Sequence, residues 1–339
     1  MFKSPFRRNS YEWDKVFMIL RKPDFYDDFK CTASQCSDTC CVGWEIDIDK
    51  DSLETYRKVA GVFGDKLRAN IEDGHFKLLP HDRCPFLDKD NLCEIYANLG
   101  EDALCDICTE HPRFVEVFGD IMERGIGLCC EEAARLLFAG EGPLQFVTSE
   151  CDEPEDELSE DDIEVRDQVL YMRDDFFDTL ADSDMKFGNK LYNVFGYTGE
   201  NPFAPFESVD AFVDQLAKTI SYGPAWDAAL ARIQNRIKAP SSPQERAARI
   251  EDEGYFSEND SIRLLAYLIY RHYAKCLFEG YEQGKLQFAL FFWNVARFFT
   301  RELAGDAPGD IRVNAVKILS KQLEYCEENM AMIEKALDE

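Results

Sequence analysis

Positive charge is scarce in this chain. Its 339 residues carry 38 Lys and Arg against 66 Asp and Glu, a net charge of −28. A field of that sign repels nucleic-acid phosphate and anionic lipid surfaces, and it attracts basic partners. A nucleic-acid role for the chain as a whole is therefore excluded. Long apolar runs are missing too. The most apolar stretch, Phe288 to Phe299, falls short of the ~20 residues a bilayer requires, and it contains Arg297. The apolar run near the start is broken by Glu12, Asp14 and Lys15, which does not fit a secretory signal. We expect no membrane insertion and a cytoplasmic location. Several catalytic signatures are also lacking. There is no GxGxxG opening a strand–helix unit, no GxxxxGK phosphate loop, no HExxH and no serine hydrolase elbow. The CxxxCxxC of radical enzymes that cleave S-adenosylmethionine is not matched either.

Cysteine, by contrast, is plentiful and clustered. Ten of the thirteen lie between Cys31 and Cys130, in three groups. The first is CTASQCSDTCC, residues 31–41. The second is RCPFLDKDNLCEIY, residues 83–96. The third is LCDICTEHPR, residues 104–113, followed by LCCEEAARLL. Thiolates are soft ligands that suit zinc and iron–sulfur clusters, and either centre takes about four. Ten cysteines fill one site with several to spare, or two sites. A hydrophobic content of 45%, with 13% aromatic, can support real cores, so the thiols are not scattered through a disordered chain. In a reducing cytosol such clusters mean metal or redox chemistry more often than a disulfide scaffold.

In chain order, residues 1–20 read as a lead-in, and Arg21 to Lys30 delivers the chain into the first group. Cys31-x4-Cys36-x3-Cys40-Cys41 is set among Ser, Asp and Thr, so its thiols are poor candidates for ordinary core. Residues 42–51 alternate apolar with acidic residues, as a short half-buried strand does. Asp51 or Ser52 can cap the helix that follows. His75 and His81 read as surface or core residues, with His81 the better ligand candidate because it lies three residues before Cys84. Asp88 to Asn91 makes a polar turn that brings Cys84 and Cys93 towards each other. Cys105-x2-Cys108 is a second tight pair, shared ligation being favoured over an isolated redox dithiol. Arg113 is a candidate for anion or cofactor binding, or for a structural salt bridge. Residues 114–128 suggest a hairpin around Gly119-Asp120, and EEAARLLFAG a short helix ending at Gly140.

Ten of the fifteen residues from Glu150 to Glu164 are acidic, with no Lys or Arg. That stretch reads as a solvated linker, or as a docking surface for a basic partner. Helices are predicted over Ile163–Leu180, Ser208–Ile220, Ala225–Ile237, Pro243–Glu251, Asn259–Glu279, Glu282–Leu303 and Ile311–Leu337. The aromatic run between Phe288 and Phe299 reads as packing, with a substrate groove as the sharper alternative. His272, Cys276 and Cys326 lie inside predicted helices and are not read as ligands. The expected class is mainly α. A cysteine-rich metal-binding domain with little β spans 21–140, an acidic linker spans 141–165, and a helical domain spans 166–339.

Together the four cysteine motifs resemble the FliB-type flagellin lysine-N-methylase family, within a broader cysteine-cluster group of zinc- or iron-chelating domains. The resemblance covers residues 21–140 by motif. It implies methyl transfer from S-adenosylmethionine to lysine side chains of flagellin, with a cysteine-ligated iron–sulfur cluster, 4Fe-4S, or zinc in its place. The implied ligands lie among Cys31, Cys36, Cys40, Cys41, Cys84, Cys93, Cys105, Cys108 and Cys130. The family's last motif reads Ser-Cys-Pro-Glu-Ala. Here Cys129 replaces the serine and Glu131 the proline, which leaves Cys129 outside the ligand set. Neither a general base nor a cofactor pocket is singled out. The competing classes are a non-enzymatic zinc or iron module and a redox-sensing interaction protein.

Overall fold

The structure, a computed structural model, describes residues 18–39, 41–42, 46–80, 83–152, 158–238, 242, 252 and 254–338. The chain enters on β1 (Met18–Pro23). Helices α1 (Lys50–Lys58) and α2 (Gly61–Ala69) lead to a ribbon of β2 (Ile71–Glu72) and β3 (His75–Phe76). Two short helices follow, α3 (Glu94–Leu99) and α4 (Asp106–Glu110). Then come the hairpin β4 (Arg113–Phe118) and β5 (Ile121–Ile126), α5 (Glu131–Ala139) and β6 (Phe146–Cys151). The rest is helical: α6 (Glu160–Ala181), α7 (Phe187–Phe195), α8 (Val209–Ala217), α9 (Pro224–Ile237), α10 (Glu258–His272), α11 (Glu282–Phe298), α12 (Thr300–Ala304), α13 (Ile311–Leu323) and α14 (Glu327–Asp338). The class is mainly α, as expected.

The larger sheet has the order β4-β5-β1-β6. β1 runs parallel to β5, with Ile19 opposite Ile121, and antiparallel to β6, with Met18 opposite Cys151. The sheet is pinned to the helices by polar groups. Tyr270 of α10 donates to the carbonyls of Arg21 at 2.7 Å and Arg124 at 3.0 Å, and Tyr267 donates to Ile126 O at 2.8 Å. Arg173 of α6 pairs with Glu123 of β5, and both are buried. Removing one partner of such a pair strands a buried charge. α10 starts in a capping box between Ser257 and Asp260, and its residues from Asp260 to His272 are buried on every face. A helix covered all round is the centre of a core.

Two cores result. The larger gathers α5 to α14 together with Phe25, Phe29, Phe118 and Ile126, so strands and helices share it. The smaller holds Ile46, Ile48, Tyr56, Leu67, Phe76, Phe86, Leu87 and Ile95 with Cys84 and Cys105. Phe76 meets Phe86 edge to face, with ring centroids 4.9 Å apart, and stacks on Tyr56 at 6.1 Å.

Several elements depart from the sequence reading. The predicted strand over 42–51 is reduced to isolated bridges, Val42 to Arg83 and Asp47 to His75, and α1 begins at Lys50 with Asp49, not Asp51 or Ser52, as its cap. Three long predicted helices are broken. One ends at His272 before a 3-10 turn, one at Phe299 (φ −124°), and one at Glu324. At the last break Asn329 donates to Gln322 O at 2.9 Å, taking up a carbonyl that the helix end leaves unpaired. β6 and the first turn of α6 occupy parts of the acidic stretch. The predicted helix over Pro243–Glu251 lies outside the described residues.

Candidate metal centre

Five of the predicted ligands meet in the smaller core: Cys41, Cys84, Cys93, Cys105 and Cys108. They arrive on separate segments. Cys84 and Cys93 flank the turn over Asp88–Asn91. There the Asp88 carboxylate accepts from the backbone N–H groups of Asp90 (2.8 Å) and Leu92 (2.9 Å), closing an Asx turn. Arg83 clamps the turn from outside, donating to Asn91 Oδ1 at 2.8 Å and Asp88 O at 2.6 Å. The cap positions of α3 and α4 are Cys93 and Cys105. Cys41 joins through backbone, its carbonyl accepting from Cys84 N–H at 3.2 Å.

α1 fixes the entrance to α4. One oxygen of Asp49 accepts from Ser52 N–H at 2.8 Å, and the other from Asp106 N–H at 3.0 Å. One carboxylate thus ties two helices, one of which carries Cys105 and Cys108. Tyr56, fully buried, donates to Ala103 O at 2.8 Å. Burial and the neighbouring Cys105, Cys108 and Cys93 push its phenol well above the ordinary value.

The thiols feel one another. The Cys108 thiol donates to Cys105, which holds Cys105 below the usual thiol value. That same bond, burial, and the proximity of Cys105, Cys41 and Cys84 push Cys108 far up. Burial raises Cys84 to about 11, with Cys93 and Cys105 adding to it, and burial raises Cys93 as well. All the cysteines among the described residues are free of disulfides. Among those residues no three Cys, His, Asp or Glu side chains stand in the arrangement of a closed metal site. By its chemistry, however, the donor set fits a thiophilic ion. It offers more than four soft ligands from separate segments in water-poor surroundings, where a thiolate without a cation is costly. These five residues would hold zinc or an iron–sulfur cluster.

The remaining predicted ligands sit elsewhere. Cys31 is exposed and accepts from Ala33 N–H at 3.4 Å. Cys36 is half-buried, 3.9 Å from Glu131, and burial raises its pKa. Cys130 caps α5 and packs against the larger core. Cys40 and His81 lie outside the described residues. Cys129, which the resemblance leaves out of the ligand set, is buried beside Tyr325 and Arg271, and burial lifts it to about 12. Arg113 lies over the Phe29 ring, 5.1 Å from its centroid, and donates to Thr109 O at 3.3 Å. His111 meets the ring of Tyr325, and His75 contacts Asp47. Buried His272 bonds Glu324 at 2.8 Å, inside the larger core.

Sequence reasoning missed Asp49, Tyr56, Lys317 and Lys321. Asp49 had a signal, the Asp-x-x-Ser spacing of a helix cap. The lysines had none, because their partners lie about 280 residues away.

The cysteine-rich region that gathers five thiols is also the region that a known family profile covers. The CxxCxxCC family profile, described as "Putative zinc- or iron-chelating domain", matches residues 30–126. The flagellar biosynthetic protein FliU of Salmonella muenchen is 31% identical over 125 residues, covering 34% of this chain and 74% of FliU. Lysine-N-methylases of Salmonella choleraesuis and Salmonella typhimurium are 31% identical over 125 residues, covering 34% of this chain and 31% of theirs. The chain thus spans about a third of the length of those methylases. No solved structure matches. The chain belongs to the FliB-type lysine-N-methylase family that includes FliU. Among the described residues no helix is long and apolar enough to cross a membrane.

Proposed function

We propose that this chain is a cytoplasmic protein-lysine N-methyltransferase that takes its methyl group from S-adenosylmethionine, acts on flagellin, and carries a cysteine-ligated iron–sulfur cluster. The observation that carries the reading is positional. The five thiols all lie within residues 30–126, which match a zinc- or iron-chelating family profile, and the chain is 31% identical over 125 residues to proteins named lysine-N-methylase. Cys41, Cys84, Cys93, Cys105 and Cys108 are the proposed ligands, from the wider set that includes Cys31, Cys36, Cys40 and Cys130. A cluster held there by these thiols would supply Lewis-acidic, redox-capable iron to the site. The chain's own part is to place the thiols: Asp49 fixes the start of α4, Tyr56 fixes the turn that leads to Cys105, and Arg83 fixes the turn between Cys84 and Cys93. A lysine must lose its proton before it can attack a methyl group, so a base must stand near the target. The net charge of −28 suits a lysine-bearing partner.

The test is incubation of anaerobically purified protein with labelled S-adenosylmethionine and flagellin, followed by mass spectrometry of the flagellin lysines. Methyl-lysine that disappears in the Cys105→Ser variant is expected. No methyl transfer from a metal-loaded protein would overturn the reading. A structural zinc or iron module is the second reading, favoured by the small core around the thiols.

A further inference from the structure

Five thiols in a small lobe need something to hold the first cysteine segment in place. Among the described residues from Cys31 to Thr39 none is buried, and the regular structure is a single 3-10 turn, Ala33–Gln35. No apolar side chain anchors this stretch, yet it leads directly to Cys41.

Two lysines on one face of α13, four residues apart, anchor it. Lys321 Nζ donates to Asp38 Oδ2 at 2.5 Å and to Thr39 O at 3.3 Å. Lys317 Nζ donates to Ser37 Oγ at 3.1 Å and to Glu131 Oε2 at 3.2 Å. Glu131 also accepts from Ser37 N–H at 3.1 Å. Three consecutive residues, Ser37 to Thr39, are therefore fastened to α13 and α5. Both helices belong to the larger core, which makes the anchor rigid. The Lys317 side chain is only 5% exposed, so its charge is poorly hydrated and its pairing strong. The fastening continues inward. Cys41 N–H donates to Thr39 Oγ1 at 3.2 Å, and Cys41 O accepts from Cys84 N–H at 3.2 Å. A continuous chain of contacts runs from α13 to the thiols.

We propose that Lys317 and Lys321 are positioning residues of the metal centre, holding the Ser37–Thr39 segment so that Cys41 is presented to the other four thiols. The assignment rests on the metal reading above. The physical reason is entropic. An unpinned ligand segment must be ordered when the ion binds, and that cost is subtracted from affinity. Groups that orient ligands from behind change metal affinity by about 10- to 100-fold when removed.

The test uses the full chain and cobalt(II), whose thiolate charge-transfer absorption reports sulfur ligation. Wild type, Lys317→Met, Lys321→Met, the double variant and Lys321→Arg are titrated under anaerobic conditions. Melting followed by circular dichroism is run in parallel. Methionine keeps an apolar stem and deletes the charge. The double variant is expected to bind cobalt at least about tenfold more weakly while the helices melt as in wild type, and Lys321→Arg to restore most of the affinity relative to Lys321→Met. Should the double variant not fold, Asp38→Asn weakens the Lys321 pair from the other end and must lower cobalt affinity as Lys321→Met does. Unchanged affinity in the folded variants overturns the assignment and leaves the metal reading standing. Absence of thiolate absorption in wild type, together with absence of iron, sulfide and zinc from the anaerobically purified protein, overturns both.

Discussion

The two cores are built on different terms. The larger is aromatic and deep. α10 is covered on every face, and Phe288, Phe291, Phe292 and Trp293 of α11 are almost wholly buried. The smaller, by contrast, holds ten buried residues among those described, and two of them are cysteines. Apolar burial contributes about 1.5–3 kcal/mol for each large side chain, so a core of that size leaves little margin against chain entropy. Small lobes of this kind are usually stabilised by metal or disulfides. No disulfide is present among the described residues, and five thiols are. One part of the molecule is held by deep packing, and the other gathers five thiols around a small core.

Four perturbations probe that contrast. Metal removal has the largest expected effect. Structural zinc sites contribute on the order of 10 kcal/mol of apparent free energy. Chelation, or Cys105→Ser, should abolish amide hydrogen-exchange protection from residue 46 to 110 and leave that of α10 and α11 unchanged. Equal loss in both regions would break the comparison. Next is Phe288→Ala, a cavity in the larger core. It should lower unfolding stability by about 3–5 kcal/mol in urea titrations and leave metal content unaltered.

Acid is third. Burial holds the neutral form of His272 in the larger core, with a pKa near 4 against 6.5 for an exposed histidine. Below pH 6.5 the unfolded chain takes up a proton that the native state refuses. Stability is thus complete above about pH 6.5 and is lost as pH falls towards 4. Urea midpoints at pH 7 and pH 5 should differ in wild type and differ less in His272→Gln.

The smallest effect is a matched pair of glycines. A Cβ at Gly64 in α2 would sit 2.0 Å from Val59 O, and one at Gly284 in α11 would sit 2.2 Å from Glu334 O. Each alanine should cost about 1–3 kcal/mol. Hydrogen exchange should show Gly64→Ala opening the small lobe alone, whereas Gly284→Ala lowers the global melting temperature.

What could be read from the chain in advance follows the range of the interactions. The hairpin over 114–128, the turn at Asp88–Asn91 and the Cys105–Cys108 pair are local, and periodicity or turn chemistry announces them. β1 and β6 are not local. They pair residues 18–23 with 146–151, and the acidic composition around Glu150 suggests linker rather than strand. Helix breaks at His272, Phe299 and Glu324 carry no Pro or Gly at the break itself; side chains from other elements bond carbonyls of the last turns there, Arg173 to Tyr270 O, Arg236 to Phe298 O and Asn329 to Gln322 O. At the candidate site the residue type was legible and the partition was not. Spacing alone does not tell that Cys41 turns inward while Cys36 stays beside Glu131. That choice is made by Lys317 and Lys321, at the far end of the sequence.

The most direct test of the central claim is metal analysis of anaerobically purified protein: iron, zinc and acid-labile sulfide per chain, for wild type and for each of the thirteen single cysteine-to-serine variants. A thiol-held centre predicts bound iron with sulfide, or zinc. It also predicts that the loss is concentrated in variants of Cys41, Cys84, Cys93, Cys105 and Cys108, while Cys129, Cys151, Cys276 and Cys326 variants retain full occupancy. A wild-type protein without bound metal, or losses spread evenly over all thirteen positions, would contradict it.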